Sequence, residues 1–219
     1  MDVDICIQQR RSIRAFTEVV PPRATILECL QAASWAPNPT SQQPWKFIVL
    51  TGDCLHRICS VIQEHFQEAS QEKSRHETDG LREDTSRMLN QKKEQVFREM
   101  VSHLTRHGAD LKKAGEGNFN FHGAPAGVIF ATYRGKDLNY FKATIAAMQN
   151  FMLAAEARGL GTCWINAVSI CESYIRRELD LPSDIVLVDG VALGYPESSS
   201  PLNTIPRDRY PVEQVTLWP

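Results

Sequence analysis

Three short stretches of the chain hold the residue types that bind anions. Arg10-Arg11-Ser12-Ile13-Arg14 places three guanidinium groups and a hydroxyl within five residues, and Arg207-Asp208-Arg209 adds two more guanidinium groups far downstream. Between them, Ala36 to Trp45 (APNPTSQQPW) is a proline-stiffened loop rich in amides and hydroxyls. The planar donor fork of arginine matches the oxygens of a phosphate, and such charge-assisted bonds are about twice as strong as neutral ones. RRSIR alone reads better as a solvated basic turn. Two basic clusters at opposite ends of the chain, together with the polar loop, point instead to a built anion site.

Other chemistries leave no trace. No GxGxxG follows the first strand and no GxxxxGK[ST] occurs, so neither a dinucleotide fingerprint nor a P-loop is expected. There is no GxSxG and no trusted metal-ligand spacing among the histidines, most of which lie in a charged central stretch. No pair of carboxylates stands out for glycosidic acid/base work. His122 could bound a pocket, but a satisfied loop histidine is the simpler reading.

Bulk properties narrow the class. The 219 residues are 42% hydrophobic and 23% charged, an ordinary globular composition with enough apolar residues for one well-filled core. A formal charge of −2 argues against nucleic-acid binding and against attraction to a membrane surface. No apolar run is long enough to span a membrane, and MDVDICIQQRR does not read as a secretory signal. The six cysteines show no CxxC pair, which suits reduced, mostly buried thiols in a cytoplasmic protein.

The elements that must position these residues follow from patterning. Asp2 can cap a short helix through Gln9, with Val3, Ile5, Cys6 and Ile7 on its apolar side. A second helix is expected over Arg23–Ser34, with Ile26, Leu27, Leu30, Ala33 and Ser34 on one face. Pro37, Pro39 and Pro44 forbid regular helix and imply an extended, stiff loop before a strand at Lys46–Leu50. Residues 63–117 are dense in charge. Leu81, Met88, Leu89, Val96, Phe97, Met100 and Leu104 recur there at helical spacing, so helices are expected, forming a lid, a dimer-wrapping arm or a solvated surface. Strands follow from Pro125 to Tyr133, at Thr162–Ile165 and at Ile185–Leu193. A hydrophobic helix is expected over Asn139–Arg158, ended by Gly159, and a short one near Ser173–Leu179.

RRSIR, then APNPTSQQPW entering KFIVL, then GLGTCWIN and finally ALGYP with PRDRYP resemble, in order, the landmarks of the FMN-dependent nitroreductase family. NFNFHGAP at 118–125 and the ending LNTIPRDRYPVEQVTLW are most similar to its nitrobenzoate-reductase-like branch. The resemblance implies an α+β fold with a mixed central sheet flanked by helices. It implies one FMN-binding domain over 1–219 with 63–117 as its excursion, and an intertwined homodimer with FMN at the interface. It assigns Arg10, Ser12 and Arg14 to the FMN phosphate and ribityl chain, with Arg11 between them, and Arg207 and Arg209 to the phosphate. Pro37, Asn38, Pro39 and Ser41 would cover the flavin of the other subunit. Trp164, Ile165, Asn166 and Ala167 would run beside the flavin, offering a backbone N–H to N5. Asn118, or Asn120 in the alternative register, would meet its polar edge.

The implied activity is hydride transfer from NAD(P)H through flavin N5 to a nitroaromatic, quinone or similar small-molecule acceptor, in a ping-pong cycle. No side chain is nominated as catalytic, since the cofactor carries the chemistry. Enone reduction, reductive dehalogenation, dehydrogenation and non-catalytic flavin binding are the alternatives.

Overall fold

The structure is a computed structural model and describes residues 2–74, 83–135 and 138–219. Leu81 lies outside the described residues. The element order begins α1 (Val3–Gln9), α2 (Arg23–Ala33), β1 (Trp45–Thr51), α3 (Gly52–Ser74), α4 (Glu83–Arg106) and α5 (Leu111–Glu116). It continues β2 (Ala126–Tyr133), α6 (Asn139–Glu156), β3 (Gly161–Ile165), α7 (Ala167–Ile170), α8 (Glu172–Glu178) and β4 (Ile185–Gly194). No described helix is long and apolar enough to cross a membrane.

The four strands form one sheet in the order β1-β2-β4-β3, and each neighbouring pair is antiparallel. Among the described residues a parallel element enters only at the sheet's edge, as a single bridge between Ser12 and Thr162. Alternation along β2 sends Val128 and Phe130 to one face and Ile129 and Ala131 to the other, and all four are fully buried. The first face packs against α2 and α6, where Phe130 meets Phe151 edge-on with ring centroids 5.4 Å apart. Burying a phenylalanine of this kind contributes about 2–3 kcal/mol. Ala143, Ala147, Ala154 and Ala155 are buried on α6, where small side chains let α2 approach.

The second face packs against α3, α7 and α8. Leu55, Ile58, Ile62 and Ala69 of α3 lie buried at intervals of three, four and seven. The change in composition at residue 63 falls within this second-layer helix. α3 starts directly after β1 and runs unbroken through that position. In α4, Leu104 is fully buried with Leu202 and Ile205, whereas Met88, Leu89, Val96 and Phe97 are exposed.

Several local expectations shift. On α1 only Cys6 is buried, and on α2 Cys29 takes the inward place expected of Leu27. α7 has no counterpart in the sequence reading. The loop after α2 is not extended but coiled into a short turn at Pro39–Ser41, with Thr40, Ser41 and Gln43 at positive φ. Asn38 clamps it: its amide donates to Ala36 O at 3.1 Å and its oxygen accepts from Gln43 N at 2.8 Å. A short amide that bonds its own backbone replaces the pairing an extended loop would have needed.

Candidate functional site

Residues 12–17 run from the free edge of β3 to the segment that follows β4. Ile13 N donates to Thr162 O at 2.9 Å, and Thr17 N to Tyr195 O at 2.9 Å. Gly161 makes the approach possible, because a Cβ there would stand 2.7 Å from Ile13 Cγ1. Ile13 is buried, so by strand alternation its neighbours Ser12 and Arg14 turn outward. Asn203 pins this segment. Its oxygen accepts from Arg14 N at 2.7 Å and Ala15 N at 3.0 Å, and its amide donates to Ala15 O and Glu197 O at 2.8 and 2.9 Å.

The outward residues line a cavity of about 300 Å³ with Arg10, Arg11, Arg207 and Arg209. Both basic clusters of the sequence thus meet in one place. Their guanidinium groups have divided roles. Arg207 donates to the carbonyls of Gln8, Gln9 and Arg10, capping the C-terminus of α1, where the helix dipole favours a cation. Arg11 donates to Ile205 O at 2.5 Å. Burial lowers the Arg10 pKa, and the charges of Arg207 and Arg209 lower it further. Burial likewise lowers Arg11, with Arg207 and Arg14 adding to the effect. Like charges gathered at such cost are stabilised by an anion. A phosphomonoester of charge about −2 fits this donor set.

Asn118 and Asn166 come together, the amide of the first donating to the oxygen of the second at 2.7 Å. Asn120 instead lines a separate depression with Leu55, His56 and Cys59. Its side-chain oxygen is buried without a hydrogen-bond partner among the described residues. Trp164 is partly exposed and fixed by Nε1 donating to Asp189 Oδ2 at 2.8 Å. Ile165 and Ala167 turn fully into the core, so what they can offer a ligand is backbone.

The loop carrying Asn118 holds an uncommon conformation, with Phe121, His122 and Gly123 all at positive φ. Two glycines keep it there by cutting a slot for the Phe121 ring. A Cβ at Gly127 would lie 2.7 Å from that ring, and one at Gly190 would lie 3.2 Å from it. His122 packs on Gly117, where a Cβ would come within 1.9 Å of its Nδ1. Burial, aided by the charge of Arg14, pushes the His122 imidazole down to about 4 and keeps it neutral at neutral pH.

Pro37 is exposed, and Asn38 and Ser41 line another depression with Gln31, Ser34, Trp35 and Gln43 that shares no residue with the basic cavity. Within one chain, this loop is not brought to the arginines. Sequence reasoning missed Lys92, Glu99 and Asp208 on the cavity wall, and Asn203 beneath it. Asp208 lies between two named arginines and was within reach. Lys92 stands in a charged helix with no local signal.

The chain belongs to the nitroreductase family, whose model matches residues 7–195. It is 29% identical to a chloronitrobenzene nitroreductase of Comamonas testosteroni over 99% of this chain and 96% of that one. A 4-nitrobenzoate reductase of Nocardioides sp. is 28% identical, with 98% and 90% covered. In fold it resembles the FMN- and NADPH-dependent nitroreductase NfnB from Sphigopyxis sp. strain HMH, at TM-score 0.78 and 23% identity over 100% and 99% of the chains. NfnB from Mycobacterium smegmatis, solved with NADPH, gives 0.80 at 20% identity, with 99% and 97% covered.

Proposed function

We propose that this chain is an FMN-dependent, NAD(P)H-consuming oxidoreductase of nitroaromatics, quinones or similar small acceptors. The observation that carries the reading is the cavity in which arginines from both ends of the chain converge. The chemistry FMN supplies when bound is a two-electron, ping-pong relay from NAD(P)H to the acceptor. The chain's own residues bind and orient. Arg10, Ser12, Arg14 and Arg209 hold the phosphate, while Arg207 and Arg11 fix the backbone around it and add to its field. Asn118 and Asn166 form a paired amide rim, and Trp164 offers an indole plane locked by Asp189. The names of the relatives support nitroaromatics as the acceptor class.

The same reading makes the protein a homodimer in which the Asn38–Gln43 loop covers the partner's flavin. Trp35, Leu217 and Trp218 are 81%, 90% and 91% exposed in a single chain, an apolar display that suits burial against a second copy. We read 63–117 as a helical excursion of the single domain, acting as lid or dimer arm. The six free cysteines of the chain suit a cytoplasmic enzyme.

A visible spectrum tests the reading. The FMN-loaded protein is expected to bleach with NADH or NADPH under anaerobic conditions and to recover its colour on addition of a nitroaromatic. Flavin that binds but never bleaches would mark a carrier. Failure to bind FMN would overturn the assignment.

A further inference from the structure

α4 forms the wall of the basic cavity that no sequence motif announced. Lys92, Val96, Glu99 and Met100 face it, at intervals that keep them on one side of the helix. The Lys92 ammonium lies 2.7 Å from Asp208 Oδ2 and 5.1 Å from the centre of the Tyr210 ring. Its place is set by a helix bolted to the segment that carries the C-terminal arginines. Met100 and Leu104 pack with Leu202 and Ile205. His103 Nε2 lies 3.2 Å from both Pro201 O and Thr204 Oγ1.

The arginines are unequal as ligands. Arg207, Arg11, Arg209 and Arg14 each have a donor committed to a backbone carbonyl. Lys92, by contrast, is held by a side chain, one that itself stands in the cavity wall. An ammonium has three donors on a flexible stem, so it can turn from a carboxylate to a nearby anion at little cost. Asp208 and a phosphate would compete for it.

We propose that Lys92 is a further ligand of the phosphate in this cavity, held in place by Asp208 until the anion arrives. The proposal rests on the cavity being a phosphate site, and it gives α4 a direct part in retaining the cofactor. Asp208 then has two effects of the same sign. It repels the phosphate, and it restrains the ammonium that would bind it.

Titration of the apo-protein with FMN and with riboflavin, followed by flavin fluorescence, tests this without reference to turnover. Lys92→Met is expected to weaken FMN about ten-fold, the loss of one charge-assisted bond, while leaving riboflavin within about two-fold. Asp208→Asn is expected to tighten FMN several-fold, and that gain should shrink in the Lys92→Met/Asp208→Asn double variant. Lys92→Gln, which keeps a polar head, serves if the methionine variant folds poorly. Equal weakening of FMN and riboflavin would reduce Lys92 to a structural role and overturn the proposal. So would an undiminished gain from Asp208→Asn when Lys92 is absent. A wild-type protein that binds riboflavin as tightly as FMN would instead overturn the phosphate site itself.

Discussion

Arg10 and Arg14 reach the cavity on their side chains, whereas Arg207 serves it by closing the end of α1. Arg10→Ala or Arg14→Ala is therefore expected to weaken FMN by about 10–100-fold, read by fluorescence titration, with riboflavin much less affected. Asn203 has a different kind of importance. It makes four backbone bonds in a nearly buried position. Asn203→Ala is expected to lower unfolding stability by about 2–4 kcal/mol, measured in urea, because it strands buried donors and acceptors. His122 sets a pH limit. An unfolded histidine titrates near 6.5 and the folded one at about 4. Above 6.5 both states are neutral and the stability is whole. As pH falls from 6.5 towards 4, the unfolded chain takes up a proton that the folded chain refuses, and about 3 kcal/mol drains away. His122→Asn, which tolerates positive φ, should flatten that limb of the stability profile. The arginines were legible because their chemistry is in their type. Asn203 was not, since an asparagine that stitches strands looks like any loop asparagine until its neighbours are known.

Phe121 shows what an element can impose on a loop. Its ring occupies a slot between β2 and β4 that exists because Gly127 and Gly190 lack side chains. Gly127→Ala places a methyl against the ring and is expected to cost about 1–3 kcal/mol in thermal unfolding. The ring carries the loop with it, so Asn118 should leave Asn166 and flavin binding should weaken as well. Strands and long helices could be read from apolar patterning, since β2 is apolar from Ala126 to Ala131 and α6 buries Met148, Met152 and Ala155, although Phe141 near its start is exposed. Two things defeated that reading. The left-handed run at Phe121–Gly123 is set by packing from distant glycines, not by local propensity. The change of charge near residue 63 marks no helix start, because α3 follows its buried face through Ile62 and on to Ala69.

On the scale of the molecule, the two halves of the expected site stand apart. The arginines line one cavity and the Asn38–Gln43 loop lines another. A second copy joins them in the proposed assembly, and light scattering coupled to gel filtration should return twice the mass of one chain. Removing residues 212–219, which include the exposed Leu217 and Trp218, is expected to shift that mass towards the monomer and to loosen FMN together with it. A monomer that retains FMN undiminished would separate the cofactor site from assembly.

The cavity draws one wall from residues 10–14 and another from residues 205–209. During synthesis the first wall emerges early and waits for nearly the whole chain to follow. A fragment broken off after β4 could keep every strand of the sheet and still lack the groups that close around a phosphate. Under the proposed function, cofactor capture would act as a completeness check, and unfinished molecules would stay colourless.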